Sequence, residues 1–110
     1  MPCATIASCW WRLSFERFDA IASPTRATVA YPADGNFADA YPGVSGGPPL
    51  IQAGNLCGLP ALCVPNGFGE NGLPTSMAFV GPAFSEETLV SLGNAYQSRT
   101  DWHTRRPPQA

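Results

Sequence analysis

The chain has 110 residues and a formal net charge of −2, with 13% charged and 45% hydrophobic side chains; globular domains usually carry ~25% charge. That length allows one domain at most, and the charge balance, with no basic stripe, gives no reason to expect a nucleic-acid-binding surface. So little polar cover predicts a large apolar area that faces a partner or another part of the same fold.

From Trp10 to Phe18, the run WWRLSFERF places Trp11, Phe15 and Phe18 at helical spacing, with Arg12, Glu16 and Arg17 off that stripe, which predicts a short amphipathic helix. Ala20-Ile21-Ala22 follows as a brief apolar run stopped at Ser23-Pro24, a short buried strand ended by proline. Residues 26–50 keep neither a period of 2 nor one of 3.6 and are rich in proline and glycine. They read as a long surface loop, a connector or a contact-forming excursion. The stretch PLIQAGNLCGLP predicts a helical turn ending near Gly58, with Pro60 blocking continuation. Ala61–Val64 (ALCV) is a continuous apolar run closed by Pro65, which predicts a strand buried on both faces. Asn66-Gly67 and Asn71-Gly72 are turn signals, and Thr75–Val80 is the second strand of an antiparallel pair. The Gly-Leu-Pro triplets at 58–60 and 72–74 thus each lead into a strand of one hairpin.

The last helix has the clearest start. Ser85 is a good N-cap, Glu86 and Glu87 sit where the helix dipole favours negative charge, and Phe84 and Leu89 occupy the positions of a hydrophobic staple. Leu89, Leu92 and Tyr96 line one face to about Ser98. The tail RTDWHTRRPPQA holds the end of the helix and a proline stop.

Cys3, Cys9, Cys57 and Cys63 include no C-x-x-C pair, and the sole histidine, His103, lies far from them in the sequence, which argues against a zinc site. The opening MPCATIASCWW lacks a positive start and is too short to span a bilayer, so free, mostly buried thiols in the cytoplasm are expected. Cys57 or Cys63 with His103 is the one nucleophile-base combination available. Both cysteines lie in apolar or glycine-bounded stretches, where packing is the expected role. His103 sits in the tail beside Asp101, Arg105 and Arg106, a surface ion-pair cluster. Glu86 and Glu87 are explained by the helix start, Asp34 and Asp39 by turns. Gly67–Gly72 (GFGENG) has the wrong spacing for a phosphate loop and no following lysine. Residues 43–47 formally spell G-x-S-x-G, but Pro42 and Pro48-Pro49 exclude the strand-turn-helix context that a nucleophile elbow needs. No catalytic residue, metal ligand or cofactor-binding residue is assigned, and no substrate-binding residue is identified.

Residues 54–106 closely resemble the C-terminal end of the amidase signature family. The matching positions are Asn55-Leu56, Gly58-Leu59-Pro60-Ala61, Pro65, Gly67-Phe68, Gly72-Leu73-Pro74, Gly81 and Thr100-Asp101-Trp102-His103, and the upstream FERFDAIASPT looks like the family's short helix and strand. The likeness covers about residues 15–107, leaving 1–14 unassigned and 108–110 as a tail. It implies an α/β fold: the C-terminal portion of a mixed sheet between helix layers, here a short antiparallel strand pair followed by a helix. It also implies amide C–N bond hydrolysis in a unit several times longer, whose serine, bridging serine and lysine lie well upstream. None of these matches a position here, and all six cations are arginines (Arg12, Arg17, Arg26, Arg99, Arg105 and Arg106), so the chain is expected to be inactive alone. The expected partner is the N-terminal amidase core or a partner subunit, with no nucleic acid, membrane or cofactor. The 26–50 loop is expected to help wall the substrate pocket. Cys57 and Cys63 stand where the family commonly has small residues, and Ser76 and Ala78 where it often has glycine and glutamine. Members that serve in glutamyl-tRNA amidotransferase, as its A subunit, often carry an aspartate before the Asn-Leu motif. GGPPLIQAG has none, which favours a general amidase. The alternatives are a non-catalytic protein docking to a larger subunit, the remnant of such an amidotransferase component, or a non-functional remnant of a broken gene.

Overall fold

The computed structural model of the chain describes residues 6–44 and 49–108. Its elements, in order, are α1 (Ile6–Phe15), β1 (Ile21–Pro24), α2 (Phe37–Ala40), α3 (Pro49–Leu56), β2 (Ala61–Phe68), β3 (Pro74–Val80) and α4 (Glu86–Gln97), with short 3-10 turns at Glu70–Gly72 and Trp102–Thr104. The fold is mixed α/β around a three-stranded antiparallel sheet in the order β1-β3-β2.

The hydrogen-bond phase of the sheet explains where its prolines sit. Gly81 N–H donates to Pro60 O at 3.1 Å and Ala61 is opposite Val80. In an antiparallel ladder this makes Ala61–Val80 an unbonded pair and Leu62–Phe79 a bonded one. On the other side, Thr25 N–H donates to Ser76 O at 3.2 Å, which makes Thr25–Ser76 a bonded pair and Pro24–Met77 an unbonded one. Pro24 and Pro65 therefore both fall where the N–H would point away from β3. A missing donor there costs the ladder nothing, so β1 includes Pro24 and β2 runs on past Pro65 to Phe68. The expected stop at Pro65 is overturned for that reason; an irregularity between Pro65 and Gly67 absorbs the change of register.

One face of the sheet packs on α4. Val64, Phe79 and Leu89 form its buried core, with Leu62, Met77, Ala20 and Tyr96 against it, and Phe79 meets Tyr96 edge-on at 6.1 Å. The buried stripe of α4 is Leu89, Gly93 and the half-buried Tyr96, while Leu92 is exposed. Gly93 takes the place expected for Leu92 because Leu62 fills the space: a Cβ at 93 would lie 2.5 Å from Leu62 Cδ2. The expected staple does not form either. Leu89 is buried, but Phe84 has a φ of +64° and is 94% exposed, since left-handed backbone turns its side chain outward. Ser85 occupies the N-cap position without capping; its hydroxyl donates to Pro82 O.

The opposite face carries Ser23, Ala78 and Val80, all buried. Trp11 and Gly54 lie over it, since a Cβ at 54 would be 3.5 Å from Val80 Cγ1 and 3.9 Å from Trp11 Cζ2. Trp11 stacks on Phe15 at 5.6 Å. Phe18 is exposed rather than on that stripe, because α1 closes at Phe15 and the next residues turn through bonds to Ser14 O. On β2, Ala61 and Cys63 are exposed on this same face, so the strand is buried on one face and not on both.

Within the 26–50 loop a single turn, α2, is capped by Asn36, whose side chain accepts from Asp39 N–H at 3.0 Å, and α3 begins at Pro49. α3 ends as expected near Gly58: Gly58 has φ +68°, its N–H donates to Asn55 O, and Leu59 N–H donates to Gly54 O. This paired pattern is a Schellman stop, and it needs a residue free to adopt left-handed backbone.

Candidate functional site

The segment leaving β1 builds a cleft against the start of β3. After Pro24 the chain is held to β3 by the Thr25–Ser76 bond and crosses the hairpin end, where Val29 is buried. Gly69 makes that crossing possible, because a Cβ there would meet Val29 Cγ1 at 2.7 Å. The result is a cleft of about 680 Å³ between residues 25–31, Phe37 and the start of β3. Thr25, Thr28, Thr75 and Ser76 supply hydroxyls to its lining, and Arg26 is the only charged residue among the lining residues. Tyr31 and Phe37 wall one side, ring edge to ring face at 6.1 Å. Thr25 Oγ1 is buried with no partner among the described residues, whereas Thr75 Oγ1 and Asn66 Oδ1 are 2.8 Å apart. Donors and acceptors on an aromatic wall suit holding a small polar molecule. Among the cleft's lining residues no nucleophile lies beside a base.

The residues weighed from the sequence do not converge on it. His103 is exposed in the turn after α4, and the pair beside it is Arg105 Nη2 to Asp101 Oδ2 at 2.8 Å. The hydrogen bond from Arg105 holds the Asp101 carboxyl below its ordinary 3.8. Arg105 also lies over the Trp102 ring at 4.6 Å, and Trp102 meets Phe68 edge-on at 6.3 Å, which fastens the tail to the far end of β2. Both described thiols are free; Cys57 is half-buried and Cys63 exposed, so the expectation of buried thiols fails for Cys63, which faces the uncovered side of its strand. Cys3 and the side chain of Cys9 lie outside the described residues, as do Ser45 and Gly47 of the G-x-S-x-G run. Glu86 and Glu87 are exposed at the start of α4, and Asp34 and Asp39 are exposed in the loop. Among the described residues no three of His, Cys, Asp and Glu group as a metal site would require, and no helix is long and apolar enough to cross a membrane.

The loop side of the cleft, residues 26–31 and Phe37, falls within the 26–50 segment expected to form a pocket wall, while its β3 side escaped sequence reasoning. Its walls come from positions about fifty residues apart, and the usable signal was the hydroxyl-rich flank of each strand, Thr25-Arg26-Ala27-Thr28 and Thr75-Ser76.

Comparison with known proteins adds what the geometry lacks. The model of the family described as Amidase matches residues 9–90. The A subunit of glutamyl-tRNA(Gln) amidotransferase from Roseiflexus sp. (strain RS-1) is 44% identical over 97 residues, 88% of this chain and 20% of that protein. The protein of the same name from Methylococcus capsulatus is 41% identical over 88% of this chain and 20% of its own length. A third of that name, from Ralstonia nicotianae, is 49% identical over 48% of this chain and 11% of its own length. The chain thus spans about a fifth of the length of the relatives that it matches most fully. No solved structure matches it.

Proposed function

The chain belongs to the amidase family, and on that premise we propose that it is the C-terminal portion of an amide-hydrolysing unit, unable to break an amide bond by itself. The observation that carries the reading is a family match over residues 9–90 in a chain with no lysine and no nucleophile-base pair in the cleft beside Thr25. Hydrolysis of an amide needs an activated nucleophile and a proton acceptor within hydrogen-bond reach. In this reading those groups come from the remainder of the unit, and this portion completes the sheet and supplies a wall. The cleft beside Thr25 and Tyr31 is that wall, with hydroxyls to orient a carboxamide and aromatic rings to exclude water. The free thiols of Cys57 and Cys63 fit a reducing, cytoplasmic setting.

A second reading is favoured by the names of the relatives: the unit is the A subunit of a glutamyl-tRNA(Gln) amidotransferase. The absence of a carboxylate in residues 46–54 weighs towards the general amidase.

The test is a chimera in which the matching region of the Roseiflexus protein is replaced by this chain, assayed for ammonia release beside the intact Roseiflexus protein and this chain alone. The expected result is activity in the chimera and none from the chain alone. Hydrolysis by the isolated chain overturns the proposal. A chimera that keeps the glutamine activity of the intact Roseiflexus protein is compatible with the second reading, and one that loses it while still hydrolysing simple amides selects the first.

A further inference from the structure

We infer that Asn71 is a self-modification site: its side-chain amide is lost to attack by the backbone nitrogen of Gly72, and the product loosens the turn that supports Val29 beside the cleft. Nothing in this step depends on the amidase reading.

The chemistry needs an asparagine followed by a residue whose backbone nitrogen is accessible. The Gly72 nitrogen gives up its proton and bonds to the Asn71 side-chain carbonyl carbon. The amide nitrogen takes up a proton and leaves as ammonia, and a five-membered succinimide ring is closed. Water then opens the ring at either carbonyl. One opening leaves aspartate at 71; the other leaves an isoaspartyl link, in which the main chain runs through the β-carbon. Having both groups on adjacent residues replaces a bimolecular encounter, and glycine has no Cβ to obstruct the closure. Asn66 and Asn71 are each followed by glycine, whereas Asn36, Asn55 and Asn94 are followed by Phe37, Leu56 and Ala95.

The fold separates the two candidates. Asn66 lies within β2, where its Oδ1 accepts from Thr75 Oγ1 at 2.8 Å. Gly67 is opposite Thr75 in the ladder, and a Cβ there would lie 4.0 Å from Trp102 Cη2. Both reacting groups are therefore held. Asn71 is exposed in the Glu70–Gly72 turn with left-handed backbone, φ 57° and ψ 21°. No hydrogen bond among the described residues holds its side chain. Gly72 N–H does donate to Gly69 O, at 3.2 Å, so this bond must open and ψ of Asn71 must rotate before attack. Local opening of an exposed turn costs far less than global unfolding.

The product acts on the surroundings of the cleft. Gly69 N–H donates to Leu73 O at 2.8 Å and Leu73 N–H to Glu70 O at 3.2 Å, so the turn closes tightly around Asn71-Gly72. An isoaspartyl link adds one backbone atom inside that closure and strains both bonds. Val29 packs so close to Gly69 that a Cβ at 69 would lie 2.7 Å from its Cγ1, and Pro108 Cγ would be equally close to a Cβ at 72. A displaced turn therefore shifts both the buried Val29 and the returning tail.

The experiment incubates the whole chain at mildly alkaline pH, which favours loss of the Gly72 proton, and then cleaves after glutamate. Glu70 stands between the two asparagines, so they fall in different peptides. The expected result is a mass gain of about 1 Da in the Asn71 peptide, in aspartyl and isoaspartyl forms. It should appear roughly tenfold faster than any gain at Asn66, the factor that one hydrogen bond sets. Asn71→Gln should abolish the fast conversion, and Thr75→Val, which releases Asn66, should narrow the gap. The purified isoaspartyl form should exchange its Gly69 N–H faster than the unmodified chain. No conversion at Asn71 in the folded chain, or equal rates at both sites, overturns the assignment. A gap unchanged by Thr75→Val overturns the reason given for it. Unchanged exchange at Gly69 overturns the effect on the turn.

Discussion

The two faces of the sheet are closed to different extents, and the difference locates what the chain lacks. Towards α4 the cover runs across the whole width: Val64 on β2, Phe79 on β3 and Leu89 on the helix form one buried cluster, with Ala20 from the β1 side packed against it. Towards α1 and α3 the cover reaches Ser23, Ala78 and Val80 and stops there, one strand short of Ala61 and Cys63. Apolar surface removed from water stabilises by about 25 cal/mol per Å². The first face draws that stabilisation across its whole width; the second draws it only over β1 and β3, and Ala61 and Cys63 stay exposed.

The sharpest way to break that contrast is Leu89→Ala. Leu89 is 2% exposed at the centre of the closed face, and emptying such a site costs about 2–5 kcal/mol. Urea unfolding of the isolated chain should show that loss, or no cooperative transition at all. A cost under about 1 kcal/mol would mean the α4 face is loosely packed and the two faces are alike.

A paired substitution sharpens the comparison with one chemical change. Gly54→Ala and Gly93→Ala each put a methyl on a helix and gain about 1 kcal/mol of helix propensity. At Gly54 the new Cβ has ordinary contacts, 3.5 Å from Val80 Cγ1 and 3.9 Å from Trp11 Cζ2, so the gain survives. At Gly93 it lies 2.5 Å from Leu62 Cδ2, so Leu62 must move and the gain is offset. The Gly54 variant should unfold at the higher urea concentration, more stable than the Gly93 variant by about 1 kcal/mol. Equal midpoints would show that both helices pack with the same slack.

What the sequence made legible follows the same division. The β2–β3 hairpin, the short strand near Ile21 and the acidic-headed last helix were readable because turn residues, apolar runs and helix dipoles act locally. The misreadings at Leu92 and ALCV are positions decided by a distant contact. Leu92 looked like the core residue of α4, but Leu62 approaches so closely that only Gly93 fits on that line. Phe84 looked like a staple, yet its left-handed backbone points the ring at solvent. ALCV looked buried on both faces, and the residues that would cover Ala61 and Cys63 are not among those described. The cleft depends on Gly69 admitting Val29 from forty residues away, a pairing with no local signature.

On the open face, Cys63 offers a smaller test. Its side chain is exposed, so Cys63→Ser should change stability by no more than about 0.5 kcal/mol. A thiol reagent should modify Cys63 in the native chain faster than the half-buried Cys57. Slow modification of Cys63 would mean that the face is already covered, and the contrast between the faces would vanish.

The smallest effect concerns the tail, which returns over the far half of β2 through Trp102. Arg105 lies over the Trp102 ring and bonds Asp101, so the ion pair steadies the residue that closes this end of the strand. Because Arg105 lowers the Asp101 pKa from 3.8, the folded chain binds this proton less tightly than the unfolded chain does. The pair's contribution is therefore full above pH 3.8 and is lost as pH falls through the lowered folded value. Asp101→Asn should leave the melting curve near pH 7 almost unchanged, since exposed pairs contribute little, and should flatten the acid limb of stability below pH 3.8. The companion readout is hydrogen exchange at Phe68 and Gly67, compared with Ala61. If losing the pair speeds exchange at 67–68 while Ala61 stays as fast as before, the tail guards only the far half of β2, and the near half was open all along. If Ala61 responds as well, the tail reaches the whole edge.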